Sequence, residues 1–231
     1  MTSPDNPLFS LMESRHSCRT FLEEPVPGDV VERILTTARA APSSANLQPG
    51  RFHVLTGAPL CVFCEDLAGH VQAEPPEPLE YSYLPEPMPA HLKERQRAAG
   101  YSLYRALGIE RRDIAARKAQ FAANYRFFDA PVGIIVSIRR DMGAGCFMDL
   151  GMSIMALMLA AQSLGYASCG IGAFSNYGRF VHRRLGLVDE ELVVCGIALG
   201  RGDGAAPVNG FRTERAPLAD YAVFHGFDGE R

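Results

Sequence analysis

Two arginines and a serine stand within five residues at Arg15-His16-Ser17-Cys18-Arg19. A guanidinium fork donates bidentately to a dianionic phosphate, and a serine hydroxyl adds another donor. The same residues would also serve as the exposed basic end of a helix. A second polar cluster, Ala41-Pro-Ser-Ser-Ala-Asn-Leu-Gln-Pro49, is stiffened by Pro42 and Pro49. Ser43, Ser44, Asn46 and Gln48 there suit the edge of a flat heteroaromatic ring with alternating carbonyl and N–H groups. Alternatively the stretch is simply the loop that ends a helix. Near the other end, Asn209-Gly-Phe-Arg212-Thr-Glu-Arg215-Ala-Pro217 puts two more arginines on a loop.

Other motifs carry less. Gly143-Ala-Gly145 mimics a dinucleotide fingerprint, but the third glycine position is Met148. No acidic residue occurs between Asp149 and Asp189 to meet a ribose. Cys61-Val-Phe-Cys64 is a CxxC pair without a second pair or suitably spaced histidines for zinc. Two small thiols at i and i+3 of an amphipathic helix read as core. The histidines are scattered, and no GxSxG, HExxH or Walker loop is present, so a hydrolytic triad has no local support.

The elements that must position these residues follow from apolar periodicity. Helices are expected over 8–17, 28–41, 58–72, 91–107, 111–125, 146–164 and 176–185, and strands over 51–56, 132–138, 166–172 and 192–199. The helix over 28–41 sets Val30, Val31, Ile34, Leu35, Ala38 and Ala41 on one face, and Pro42 stops it. The helix over 146–164 is apolar nearly all round and is expected to be buried. Between Pro75 and Pro89 lie six of the sixteen prolines, which favours an extended excursion. Strands mixed with helices mean α/β or α+β, and the tail from residue 200 reads as loop.

Composition mostly excludes. A chain of 231 residues and 25.2 kDa suggests one domain. Surface scaling gives roughly 10,000 Å² folded, which leaves room for a sizeable core. The net charge of −3 comes without long like-charge runs, which argues against a nucleic-acid surface. Asp149, Ser153, Gln162 and Ser163 make residues 146–164 too polar and too short for a membrane span. The first residues show no signal-peptide pattern, and six cysteines then read as free thiols, so a cytoplasmic protein is expected. Of the 23 basic residues, 21 are arginine, mostly a matter of overall composition.

The Arg15–Arg19 box running into Phe21 and Pro25-Val-Pro27, the Ala41–Pro49 box and the segment from Phe211 to Leu218 together resemble the FMN-dependent nitroreductase family. The likeness covers essentially the whole chain. The middle, running into Asn124-Tyr-Arg-Phe-Phe-Asp-Ala-Pro131, looks like the nitrobenzoate-type nitroreductase branch. The resemblance implies an α+β fold: one three-layer α/β/α domain over 1–231 around a central mixed, mostly antiparallel sheet. It implies an entwined homodimer with FMN at the subunit interface, NADH or NADPH as electron donor, and an excursion at about 74–125. Arg15, His16 and Ser17 match the phosphate-contacting stretch. Arg212 and Arg215 match the basic pair that closes on the same phosphate, with spacing one residue wider than usual. Arg19 and Arg126 match cationic positions beside the flavin pyrimidine, with Asn124 near it. Pro42, Ser43, Ser44 and Asn46 match the segment given by the partner subunit. Cys169, Gly170, Ile171 and Gly172 match the strand facing the flavin N5 side. A glutamate often found there is Gly172 here, so no role for that carboxylate transfers.

The implied activity is reduction of nitroaromatic or quinone-like acceptors by NAD(P)H, by a ping-pong mechanism and with no side-chain acid or base. Same-fold alternatives are enone reduction, reductive dehalogenation and flavin destruction. Readings of another class are a flavin-binding module without turnover and a CxxC redox protein. Tyr81, Tyr83, Tyr101, Tyr104 and Tyr125 lie in the excursion. Either it covers the flavin and lines an aromatic acceptor pocket, or it wraps a dimer and buries its rings as core.

Overall fold

The computed structural model describes residues 6–226. Helices α1 (Pro7–Ser14) and α2 (Gly28–Ala38) precede strand β1 (Arg51–Thr56). Helices α3 (Gly57–Ala73), α4 (Ala90–Ala106) and α5 (Ile114–Ala122) separate it from β2 (Val132–Arg139). Helix α6 (Ala144–Ser163) leads to β3 (Ala167–Ile171), and α7 (Gly178–Leu185) leads to β4 (Glu191–Gly200). Two single turns, α8 (Pro207–Gly210) and α9 (Leu218–Tyr221), interrupt the tail expected to be loop.

The strands form one sheet in the order β1-β2-β4-β3, and every strand pair is antiparallel. The parallel part of the expected mixed sheet is a single bridge from Ser17 to Ser168 on the outer edge of β3. Continuous apolar runs in β2 and β4 reflect burial on both faces. On one face pack Leu60, Phe63 and Leu67 of α3, Val181 of α7, and Phe127 and Phe174 from two 3₁₀ turns. On the other pack Val31, Ile34 and Ala38 of α2 with Leu150, Leu157 and Ala161 of α6. The architecture is thus the expected three-layer α+β sandwich.

Two expectations fail, and both failures leave apolar surface uncovered. Helix α6 is long and apolar enough to cross a membrane by length and composition, yet only 28% of its most apolar window is buried. Met148 is 71% exposed and Met152 is 41% exposed. An apolar pattern records that a face is covered in use, not what covers it. The accessible surface is 14496 Å², well above the roughly 10,000 Å² that mass alone predicts.

The proline-rich excursion is fastened down. The Glu77 carboxylate accepts the N–H groups of Arg179 and Phe180 at 2.9 and 3.2 Å, capping α7. The Tyr81 hydroxyl donates to the Val194 carbonyl at 2.6 Å, and Arg140 pairs with Glu80. These ties fix the start of the segment to α7, to β4 and to the residue that follows β2.

One buried charge is built into the sheet. Glu191, with its side chain 6% exposed, accepts from Ser137 at 2.6 Å and pairs with Arg51 at 2.7 Å and His53 at 3.1 Å. Burial pushes its carboxyl pKa up, but the Ser137 hydrogen bond and the His53 and Arg51 charges prevail, and the net shift is downward. A carboxyl whose pKa is lower folded than unfolded stabilises the fold above its unfolded pKa. That contribution is lost as pH falls through the folded pKa. Glu191→Gln is therefore expected to cost about 1–3 kcal/mol at pH 7. The difference from wild type should shrink as pH falls below about 4.3, the ordinary glutamate value, in urea melts taken across pH 3–7.

Candidate functional site

Helix α1 starts where Asn6 caps the Leu8 N–H and Pro7 takes the first turn, and it ends at Ser14, three residues earlier than expected. The Arg15–Arg19 box is therefore extended chain rather than a helix end. It runs beside β3, bridged at Ser17 to Ser168, with the Cys18 N–H on the Ser168 carbonyl at 3.1 Å.

The tail folds back onto this box. Buried Asn209 accepts the Arg19 N–H at 2.8 Å and donates to the Thr20 and Asp203 carbonyls at 2.8 Å each. Its own carbonyl receives Arg212 Nη1 at 2.9 Å. Asn209 is thus the stitch between two segments about 190 residues apart in sequence. In the sequence its only mark is the glycine that follows it. The result is a cleft of about 540 Å³ whose walls include Arg15, His16, Ser17, Arg19, Arg212 and Arg215.

Its electrostatics are mainly positive, with Glu13 the one carboxylate on its walls. Among the described residues none of these four arginines has a carboxylate within ion-pair distance. Burial lowers the Arg15 pKa, and the Arg215 charge lowers it further. Burial also lowers the His16 pKa, against the pull of the Ser14 carbonyl, and Arg212, Arg15 and Arg19 add to the lowering. Like charges gathered this closely are relieved when something anionic fits among them, and two guanidinium forks suit a phosphate dianion.

Beside the basic box runs an open strand edge. β3 pairs with β4 on one side, and past Ser168 its other edge has no strand partner among the described residues. Cys169 is buried, which raises its thiol pKa against the pull of Arg19, Ser17 and Arg15, so this strand and the basic box are neighbours. Gly170 is exposed and Ile171 is buried. At Gly172 the room for a side chain is taken by Tyr83 of the excursion. A Cβ there would lie 2.5 Å from its Cζ.

Other expected residues lie elsewhere. Pro42, Ser43, Ser44 and Asn46 do not reach the arginine cleft of their own chain. Pro42 and Ser43 line a separate hollow of about 340 Å³ together with Asp149 and Ser153. Ala45, Asn46 and Gln48 hold left-handed backbone there, at φ 49°, 55° and 49°. Ser43 Oγ accepts the Gln48 N–H at 2.9 Å. Asn124 and Arg126 are not brought to the cleft either. Asn124 donates to the Phe121 carbonyl at 2.7 Å. Arg126 pairs with Asp129 at 3.0 Å, and that hydrogen bond raises its pKa. The cause is local: Phe127, Phe128 and Asp129 are left-handed in succession, and the chain turns the Asp129 carboxylate back onto Arg126.

The CxxC pair is core and surface rather than a redox centre. Cys64 is pushed up to about 12 by burial, while Cys61 is exposed, a full turn inside α3. Cys61→Ser is expected to leave turnover within about twofold, since neither thiol sits at the N-terminus of α3. A loss of most of the turnover in the serine variant would restore the dithiol.

Comparison with known proteins decides the class. The model of the nitroreductase family matches residues 12–201. The chain belongs to the nitroreductase family. Within it, the chain is 34% identical to a 4-nitrobenzoate reductase of Pseudomonas putida over 220 residues, covering 95% of this chain and 96% of that one. It is also 34% identical to a chloronitrobenzene nitroreductase of Comamonas testosteroni, covering 96% and 98%. A crystal structure of the FMN-dependent nitroreductase NfnB from Mycobacterium smegmatis in complex with NADPH aligns with TM-score 0.89 at 30% identity, covering 94% and 97%. The nitroreductase match ends before Arg212 and Arg215, so one wall of the basic cleft lies outside the segment that defines the family.

Proposed function

We propose that this nitroreductase-family chain is an FMN-dependent oxidoreductase that uses NADPH or NADH to reduce nitroaromatic or quinone-like acceptors, as a cytoplasmic homodimer. The observation that carries the reading is the cleft of arginines without ion pairs, on a basic box that runs beside a free strand edge. Bound FMN would supply the two-electron chemistry, taking hydride from the nicotinamide and passing it to the acceptor.

The chain's own residues do the rest. Arg15, His16, Ser17, Arg212 and Arg215 hold the phosphate. Arg19, 5.9 Å from the Phe128 ring centroid, stabilises negative charge at the pyrimidine end. A guanidinium at about 4 Å is worth at most about 4 kcal/mol at an effective dielectric of 20. Arg126 is paired with Asp129 on the surface, so Arg19 is the cation that can take that role without breaking an ion pair. The backbone from Cys169 to Gly172 would lie beside the bound ring, and water would supply the protons that the reduced acceptor takes up, so no side-chain acid or base is needed. Donor and acceptor then use one stacking position in turn, which gives ping-pong kinetics.

A second subunit completes the site. Pro42, Ser43, Ser44 and Asn46 face away from the cleft of their own chain. Apolar surface on α6 and at Leu8, Phe9 and Met12 of α1 needs a cover, and so does the large accessible area. Relatives that are about one-third identical and named as nitroaromatic reductases favour this activity over enone reduction or dehalogenation.

The test is anaerobic. Purified protein should be yellow, bleach on addition of NADPH or NADH, and regain colour with 4-nitrobenzoate. Initial rates over a grid of both substrates should give parallel double-reciprocal lines. A yellow protein that neither nucleotide bleaches would be a flavin-binding module. A colourless one that binds no added FMN would overturn the reading.

A further inference from the structure

An acid in the middle of an apolar helix needs a reason. Asp149 is the one charged residue between 144 and 163, and it is 9% exposed. Its Oδ2 accepts the Ser44 N–H at 3.0 Å, so it holds the turn that contains left-handed Ala45 and Asn46. Non-glycine residues persist in that region only where their surroundings hold them. One helical turn on, Ser153 Oγ donates to the Ala38 carbonyl at 3.3 Å, pinning the end of α2 from which the same loop departs. Asp149 and Ser153 thus grip both ends of one connection.

At its other end α6 makes a second grip. Gln162 Nε2 donates to Ser14 Oγ at 2.6 Å and to the Leu11 carbonyl at 3.2 Å, at the last turn of α1. The next residue is Arg15, where the basic box begins. Thirteen residues of helix set the two grips roughly 20 Å apart.

We propose that Asp149 is a positioning residue: it presents the Ser43–Asn46 turn to the flavin ring of the neighbouring subunit, while Gln162 on the same helix sets the phosphate box of its own subunit. This rests on the two-subunit flavin site proposed above and gives it a mechanical part. α6 becomes a strut joining half of one site to half of the other. What Asp149 supplies is an acceptor oxygen for a backbone N–H, which an asparagine can also supply.

The test separates ring from phosphate and one subunit from two. Asp149→Ala should weaken FMN and riboflavin alike, by about tenfold in fluorescence titration. Asp149→Asn should restore both to within about threefold. Arg15→Ala/Arg215→Ala should weaken FMN but leave riboflavin, which has no phosphate, nearly unchanged. Dimers of one Asp149→Ala and one Arg15→Ala/Arg215→Ala subunit, isolated through two different tags, should regain wild-type FMN affinity at half of their sites. Wild-type affinity for both flavins in Asp149→Ala would overturn the role of Asp149, whatever the mixed dimer does. An Asp149→Asn protein as weak as Asp149→Ala would overturn the acceptor role. Weak binding by Asp149→Ala with no restored sites in the mixed dimer would overturn the shared site instead. Should Asp149→Ala not fold, Asp149→Asn and Ser153→Ala, compared by the visible absorption bands of bound flavin, carry the test. A wild-type spectrum in Ser153→Ala would count against the two-point grip.

Discussion

Replacing Arg15 and Arg215 by alanine is expected to strip flavin from the protein while leaving the flavin-free fold as stable as before. A hydrogen bond to a charged group is worth about 1.5–3 kcal/mol. Each single variant should therefore bind FMN roughly ten- to 150-fold more weakly. The two act on one anion and are not fully additive, but the double variant should lose at least about a hundredfold. The unusual part is the fate of the empty protein. Arg15 is held below its ordinary pKa by burial and then by Arg215, so the two guanidiniums repel one another across the cleft. Removing either relieves that repulsion. The melting temperature without flavin should stay level or rise, while the rise on adding FMN shrinks or disappears. Fluorescence titration paired with thermal melts, with and without FMN, reads both. Retention of flavin by the double variant through dialysis would defeat the phosphate assignment.

Gly196→Ala should be among the most damaging small substitutions. Gly196 lies in β4, fully covered, and an added Cβ would lie 2.5 Å from Phe174 Cδ2 and Cε2 and 3.1 Å from Phe127 Cε1. Phe174 cannot retreat, because it is 0% exposed and packs against Phe63, Tyr125 and Phe127. Overpacking typically costs about 1–3 kcal/mol, and a locked ring on a central strand puts this case at about 3 kcal/mol. For a chain of this size that lowers the melting temperature by roughly 6–12 °C. Gly172→Ala is the control. Its Cβ would approach Tyr83 just as closely, but that ring is 51% exposed and its tip can swing away. Its cost should stay below about 1 kcal/mol. Equal losses in the two variants would show that the Phe174 cluster is softer than its packing implies.

The strands were the most legible part of the chain. Residues 51–56 are a strand from end to end, bounded by Gly50 and Gly57, both with positive φ. The basic box was legible because its chemistry is local: five neighbouring residues carry it. The Arg126–Asp129 pair was not, since three consecutive left-handed residues, two of them phenylalanine, contradict every local preference. Only the buried pocket that holds Phe127 and Phe128 explains that turn. Helix α6 misled in a different way, because periodicity cannot separate a face buried in the core from one left exposed. In sequence Asp149 argues only against a membrane span, and its partner Ser44, 105 positions away, gives it a use that no window of sequence contains.

The cleft of arginines also ties the folded state to what it holds. Because none of its four arginines is ion-paired among the described residues, a dianion held there would become part of the architecture. A ligand bound only by the folded form adds about 2.7 kcal/mol at a hundred times its dissociation constant. That is a large share of the margin of an ordinary domain. The quantity of folded protein in a cell then tracks the supply of that ligand, and the chains made during scarcity are the ones that proteases remove.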